Sequence, residues 1–352
     1  MKVDIIGAGM AGLLAGNILQ RPGDHENSCN VTIYESQRSL PNNHSAVLRF
    51  RSDIVSRALG IPFKKVSVMR GTDNYKNPIA AALNYSMKCN GEYRTDRSIS
   101  KLSEGVSDRW IAPNNLIGLM EKDFLAKGGR IVYGANWTPG PVNTNPTIST
   151  MPMPVLANML CQDVVSDADG IRKDLPEFLW DAGYNISIHL RGVEAYASLY
   201  IADPMNPISR ISITGSKVIA EIPISGRPGS QALEEMLKKE QIAAMLLRSG
   251  LELIGLEDCE WLGRVSCKRQ LYSKIRPIDD RWRKNFIFDC TDKYQLYSLG
   301  RFATWRPGLL LDDLVPDVYR IKHWIEEKYL VKLARSNDKA RIDHNNGHGI
   351  NV

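Results

Sequence analysis

Residues 3–12, Val-Asp-Ile-Ile-Gly-Ala-Gly-Met-Ala-Gly, decide how the chain is read. The apolar run at 3–6 predicts a short buried parallel strand. It leads directly into Gly7, Gly9 and Gly12 in the spacing G-x-G-x-x-G, with Ala8, Met10 and Ala11 between them, and residues 13–19 then predict a helix. Gly7 permits a tight turn, Gly9 lets a pyrophosphate approach the backbone, and Gly12 lets the helix pack close to the strand. The phosphates would thus meet unpaired N–H groups at the positive end of the helix. A second strand at 31–34 ends in Glu35, 23 residues after Gly12 and near the spacing at which a carboxylate accepts hydrogen bonds from an adenosine ribose. Small residues at a strand-to-helix turn also serve packing alone. The full order of strand, turn, helix, second strand and acid predicts a bound dinucleotide.

Composition sets the outer limits. With 352 residues, 43% hydrophobic and 24% charged, the chain reads as an ordinary soluble globular protein of two domains, or of one large domain with an inserted lobe. A formal charge of +6 favours anionic ligands or partners. Six cysteines without a C-x-x-C indicate neither a zinc site nor a disulfide framework, and they fit reduced thiols in a cytoplasm. Asp4 breaks the apolar start, which argues against a signal peptide, and no run has the length of a membrane span. No metal-ligand cluster is expected. His344 and His348 are four apart, but they lie in a polar, glycine-containing tail at 336–352 that reads as solvated.

Along the chain, residues 21–30 read as a linker. Residues 47–51 alternate, which would put Arg49 and Arg51 on one face beside cofactor phosphates or a substrate anion, or on a solvated strand face. His44 reads as a base near the reactive centre or as a surface residue. Residues 53–107 carry helical signals at 54–59 and 80–87 and no assignable chemistry. A cap at Asn114 or Asn115, a helix to about 126, a Gly128-Gly129 stop and a strand at 130–133 form another α/β unit. Residues 137–146 read as a loop and domain crossing, and 147–150 as a return towards the cofactor. Short β-branched runs at 184–190, 195–201, 208–213 and 217–222 predict an antiparallel sheet, followed by an amphipathic helix at 231–248. Residues 285–289 and 295–299 read as a hairpin that closes on Gly300 and Arg301. A helix then runs from Asp313 to about 328, and Pro316 requires either that it start near Asp313 or that it kink.

With these segments in view the chain resembles a family. A glycine-rich N-terminal dinucleotide turn, an inserted antiparallel lobe and a late Gly-Arg followed by a helix resemble FAD-dependent amine oxidases and their relatives. The nearest resemblance is to UDP-galactopyranose mutase, whose Gly-Arg-x-x-Thr-aromatic-Arg segment is matched by Gly300, Arg301, Thr304, Trp305 and Arg306, and whose tyrosine-to-Pro-Ile-Asp segment looks like residues 272–279. The mutase continues with a tyrosine and a nearby Asp, whereas this chain has Pro307, Gly308 and three leucines before Asp312. The resemblance implies FAD, with Gly7, Gly9, Gly12 and Glu35 at the adenosine diphosphate half and Gly300 and Arg301 beside the flavin.

The expected fold is therefore α/β, a Rossmann-like FAD-binding domain with an inserted antiparallel β-sheet-plus-helices substrate domain. The expected division is FAD binding at 1–60, an uncertain insertion at 61–110, FAD binding and crossing at 111–180, the substrate lobe at 181–284, the FAD-binding return and C-terminal helix at 285–335, and a tail at 336–352. The expected cofactor contacts are Gly7, Gly9, Met10, Ala11, Gly12, Glu35, Arg49, Gly300, Arg301 and Asp313. Arg301 is the candidate for positive charge where reduced flavin becomes negative, with Trp305 or Tyr272 as walls of the substrate cavity. The readings that follow are an oxidoreductase acting on an amine or alcohol, a redox-neutral sugar-nucleotide mutase, and a flavin-binding protein without turnover. Lys268, Arg269, Lys274, Arg276, Arg281, Arg283 and Lys284 would place positive charge at the cavity mouth, suiting an anionic small molecule or a nucleic-acid-linked substrate such as an amine on a modified base, or would form a solvated face.

Overall fold

The computed structural model describes residues 1–20, 29–40, 47–73, 77–90, 105–138, 145–163, 175–224 and 230–346. In chain order these form β1 (Lys2–Ile6), α1 (Met10–Leu19), β2 (Asn30–Glu35), β3 (Arg49–Phe50), α2 (Ile54–Leu59), β4 (Lys64–Thr72), α3 (Pro78–Asn90), β5 (Gly105–Ile111), α4 (Leu116–Ala126), β6 (Arg130–Tyr133), β7 (Thr147–Ser149) and α5 (Met153–Asp163). There follow β8 (Trp180–Leu190), β9 (Ala195–Tyr200), β10 (Arg210–Gly215), β11 (Lys217–Ile224), α6 (Ser230–Leu237), α7 (Glu240–Glu252), β12 (Trp261–Ile275), α8 (Asp280–Tyr294), β13 (Leu296–Ser298) and α9 (Leu311–Asn346).

The strands divide between two sheets. A five-stranded parallel sheet has the order β13-β7-β1-β2-β6. Helices cover both of its faces, which is why β1 is apolar on both sides: Val3 and Ile5 pack with α1, α4 and α9, while Ile6 packs with α5 and α8. α1 lies close to the sheet because Gly16 leaves no side chain there; a Cβ would sit 3.0 Å from Ile33 and 3.1 Å from Phe124.

The larger sheet has the order β12-β8-β11-β10-β9-β4-β5-β3, antiparallel except where β4 runs parallel to β9. One face is apolar. Ile186, Ile188, Ile211, Ile213, Val218 and Ile222 alternate along their strands onto Leu237, Ala243, Leu247 and Leu251 of α6 and α7. The intervening residues, among them Asn185, Ser198, Arg210, Ser212 and Glu221, form a polar opposite face. Residues 64–72 and 105–111, almost all within the stretch read as an uncertain insertion, are strands of this sheet.

Four expectations change. Residues 285–289 lie within α8 and form no hairpin arm: Asp279 Oδ1 accepts Trp282 N–H at 2.7 Å to start a helix, and Phe286 and Cys290, four apart, bury one face. Residues 296–298 instead join the parallel sheet beside β7. The single helix expected at 231–248 is two, because the chain turns at Lys238-Lys239 with bonds back to Glu235 and Met236 carbonyls. β12, a 15-residue strand with two register shifts against β8, was not foreseen. Finally, α9 begins at Leu311, two residues before Asp313, so Pro316 lies past its first turn, and the expected tail is helical to Asn346. His44 and His348 lie outside the described residues.

Candidate functional site

The glycine turn has the shape of a cradle. Gly7 adopts φ +93°, and a Cβ there would lie 2.4 Å from Thr150 Oγ1, whose hydroxyl donates to the Ile6 carbonyl at 2.6 Å. A Cβ on Gly12 would lie 1.9 Å from the Gly7 carbonyl oxygen, so this glycine is required by the fold itself. Gly9 differs: a Cβ there meets nothing within 4 Å. Gly9 caps α1 with no side-chain bond and no acidic residue in the first turn, and the first helical bond is Leu13 N–H to Gly9 carbonyl at 2.9 Å. The N–H groups of Met10, Ala11 and Gly12 therefore have no acceptor within the helix and face the space that Gly9 leaves open.

Glu35 ends β2 beside this turn and is 6% exposed. Its Oε2 accepts Ala8 N–H at 2.8 Å, and its Oε1 accepts Gln37 N–H at 2.9 Å and the Ser36 hydroxyl at 3.3 Å. A carboxylate has about four acceptor positions, which leaves capacity for a ribose hydroxyl. The return segment closes on the same place. Gly300, at φ +102°, lies where a Cβ would come within 3.3 Å of the Ala11 methyl, and Thr304 folds the segment by donating N–H and hydroxyl to the Gly300 carbonyl at 2.9 and 2.8 Å. Residues nearly 300 positions apart thus frame one end of one helix. The open space at Gly9, the carboxylate at Ala8 and the free first turn of α1 fit a dinucleotide.

Other expected contacts are placed differently. Arg49 does not reach the cradle: its Nε donates to Thr214 Oγ1 and Nη1 to Ser198 Oγ, both at 2.9 Å, and Nη2 donates to the Ala197 carbonyl at 2.9 Å and to the Ile213 carbonyl. Asp313 turns onto its own helix start, accepting Leu310 N–H at 2.9 Å and pairing with Arg51 at 2.5 Å. Its neighbour Asp312, missed in the sequence, is the buried anchor: Oδ1 accepts the N–H groups of Arg51 and Ser52 at 3.0 and 3.1 Å. Trp305 is wholly buried, at φ +44°, with its indole N–H on the Arg276 carbonyl at 2.9 Å and its ring edge-on to Phe178 at 5.1 Å. It supports the return turn from the core and walls no cleft. Tyr272 is partly exposed and stands between Trp180 and Phe302, at 5.2 and 5.6 Å, and Arg301 lies over the Phe302 ring at 5.7 Å.

The basic run at 268–284 is largely matched by acids. Arg269 pairs with Glu234 at 2.7 Å, Arg276 with buried Asp181 at 3.1 Å, and Arg283 and Lys284 both with Asp280. A second charged group, not foreseen, stands on the polar face of the larger sheet. Arg210 and Glu221 are directly opposed across β10 and β11 and form an ion pair. Burial works to raise the Glu221 carboxyl, but Arg210, then Lys274, and also Arg301 pull it below the ordinary carboxylate range. The polar residues at every second position, Arg210, Ser212 and Thr214, were the signal in the sequence that could have exposed this face.

No protein-family model matches the sequence, and no curated protein matches it. Solved structures do. The chain is similar to an oxidoreductase from Methanosarcina mazei, with a TM-score of 0.59, 12% identity and coverage of 92% of this chain and 100% of that one. It is similar to a CLA-producing fatty acid isomerase from P. acnes, with a TM-score of 0.56, 12% identity and coverage of 92% and 98%. A protein from Pyrococcus furiosus gives a TM-score of 0.53 at 11% identity, covering 93% and 98%. Identities this low speak to architecture. The chain shares with them a Rossmann-type α/β architecture, a parallel sheet joined to a larger mixed sheet.

Proposed function

We propose that the chain is an FAD-dependent oxidoreductase that oxidises a C–N or C–O bond of an anionic substrate. The observation that carries this reading is the meeting of Gly9, Glu35 and Gly300 around the first turn of α1. A nicotinamide protein has no need of the late return at Gly300, whereas a flavin ring extending past the pyrophosphate requires a second segment beside it. In this reading the N–H groups after Gly9 bind the pyrophosphate and Glu35 accepts from the ribose. Arg301 keeps a positive charge beside the ring, and the polar face of the larger sheet positions the substrate and limits water. Bound FAD would supply the two-electron acceptor.

The protein as purified should be yellow, and heat should release a chromophore with the mass of FAD. Recovery of NAD, or an apoprotein that does not take up FAD, overturns the reading. The match of Gly300, Arg301, Thr304, Trp305 and Arg306 to the mutase pattern favours a second reading, redox-neutral sugar-nucleotide isomerisation. Incubating reduced protein with UDP-galactopyranose separates the two, since an isomerase changes the sugar with no net consumption of reductant. A nucleic-acid-linked amine belongs to the first reading, and it predicts flavin reduction by amine-bearing DNA and binding that weakens steeply with salt.

A further inference from the structure

The polar face of the larger sheet gathers cations around one aromatic side chain. Tyr200 in β9 is opposed to Arg210 in β10, whose guanidinium lies 5.6 Å from the Tyr200 ring centre and reaches its hydroxyl at 3.5 Å. Tyr85 of α3 meets the same ring edge-on at 5.8 Å. α3 is fixed there by the buried Lys88, whose ammonium donates to the carbonyls of Ile201, Asp203 and Ile208 at 3.0, 2.9 and 2.6 Å. Arg70 lies beside Ser198 in the β4–β9 pairing, and Arg109 stands on β5 opposite Val66, two residues along from Val68 and four from Arg70, so all share one face.

Among the described residues, the carboxylates do not reach every arginine of this face. Arg210 has Glu221. Arg49 bonds to two hydroxyls and two carbonyls, and Arg109 to the carbonyl of its neighbour Asp108 at 2.6 Å; among the described residues neither has a carboxylate at ion-pair distance. Burial, and then the Arg210 charge, push Arg49 down to about 10, and burial, then Arg70, push Arg109 down. Partly buried cations left beside one another in this way repel, and an anion among them relieves that repulsion.

We propose that this face binds an oxyanion of the substrate, a carboxylate or a phosphate, held by Arg109 and Arg210 beside Tyr200, with the partly buried Arg49 adding positive charge behind them. The proposal deepens the oxidoreductase reading and rests on it for the anion's being substrate. The face also adjoins the cofactor layer: Arg51, two residues from Arg49, is bonded through its N–H to Asp312 at the start of α9, and the β12 end is tied to the return segment by the Trp305 bond to Arg276. Two oxygens of a carboxylate or a phosphate match the two-pronged geometry of a guanidinium, and the placement of Tyr200 by Tyr85 and Lys88 means little ordering is needed on binding.

The test is calorimetric titration of the FAD-loaded protein with benzoate and, separately, with inorganic phosphate, repeated on Arg109→Gln. Arg109 is the chosen position because, among the described residues, its side chain bonds only to its own neighbour's carbonyl, so its loss leaves the sheet intact; unchanged melting confirms this, and Tyr200→Phe serves as the second variant. Saturable binding of either probe below about 10 mM, weakened about tenfold or more in Arg109→Gln, supports the proposal, and the probe that binds identifies carboxylate or phosphate. Binding of neither probe, or equal affinity in both variants, overturns it. FAD content is measured separately by absorbance, and the titration also reads on protein without flavin, so a failed cofactor reading and a failed anion site give different results.

Discussion

A methyl group added at Gly9 and one added at Gly12 would meet opposite fates. At Gly12 it lands 1.9 Å from the Gly7 carbonyl and must displace backbone, whereas at Gly9, with φ −73°, it enters open space in an ordinary conformation. Gly9→Ala should therefore keep the stability of cofactor-free protein within about 0.5 kcal/mol of wild type while weakening FAD binding, because the space is the ligand's. Gly12→Ala should lower both, by about 1–3 kcal/mol in stability. Thermal melts with and without FAD distinguish them, and equal behaviour of the two variants contradicts the cradle. At this scale the sequence was informative where partners are near in the chain. Gly7, Gly9, Gly12 and Glu35 sit in consecutive elements and could be placed by spacing, whereas the partners of Arg49 lie 148 to 165 residues away and no local pattern names them.

α8 shows why an element can be misread. Residues 285–289, Asn-Phe-Ile-Phe-Asp, carry the short aromatic and β-branched run of a strand, yet Asp279 upstream makes a capping bond that commits the next turn to helix, after which Phe286 and Cys290 fall on one side. Asp279→Ala should cost about 1 kcal/mol in denaturant unfolding. The following residue gives a pH signature. Bonds from Lys284 and Arg283 hold the Asp280 carboxyl down to about 2, below its ordinary 3.8. A carboxyl lowered by folding contributes stability that is complete above its unfolded value and is lost as pH falls through the folded one. The stability difference between wild type and Asp280→Asn should thus be constant above 3.8 and fall away towards about 2. Melting curves across that range check it, and a difference independent of pH would show the pairs to be worth nothing. β12 escaped notice for another reason: its two register shifts break the alternation by which strands are recognised.

The whole molecule is threaded rather than concatenated. β1 and β2 lie in the parallel sheet, β3 to β5 in the larger one, β6 and β7 in the first again, β8 to β12 in the second, and β13 returns to the first. The two-layer plan was legible from the glycine turn and the run of short strands, but the membership of residues 64–72 and 105–111 was not, since the parallel joint between β4 and β9 spans more than 120 residues of chain. A chain shortened after Tyr294 should lose β13, the Gly300 segment and the α9 residues Leu314, Val318 and Ile321 that pack on the core beside α1. It should purify colourless and be cleaved readily in limited proteolysis, and retention of FAD by that fragment would contradict the role given to the return segment. Threading also imposes an order on biosynthesis. Although N-terminal regions usually fold first as a chain emerges at about 5–20 residues per second, the glycine turn made earliest here waits for its partner made near the end. Until Gly300 and the helix after it clear the ribosome, the nascent chain has half a seat for flavin, so the protein should acquire its cofactor only after translation has passed that point.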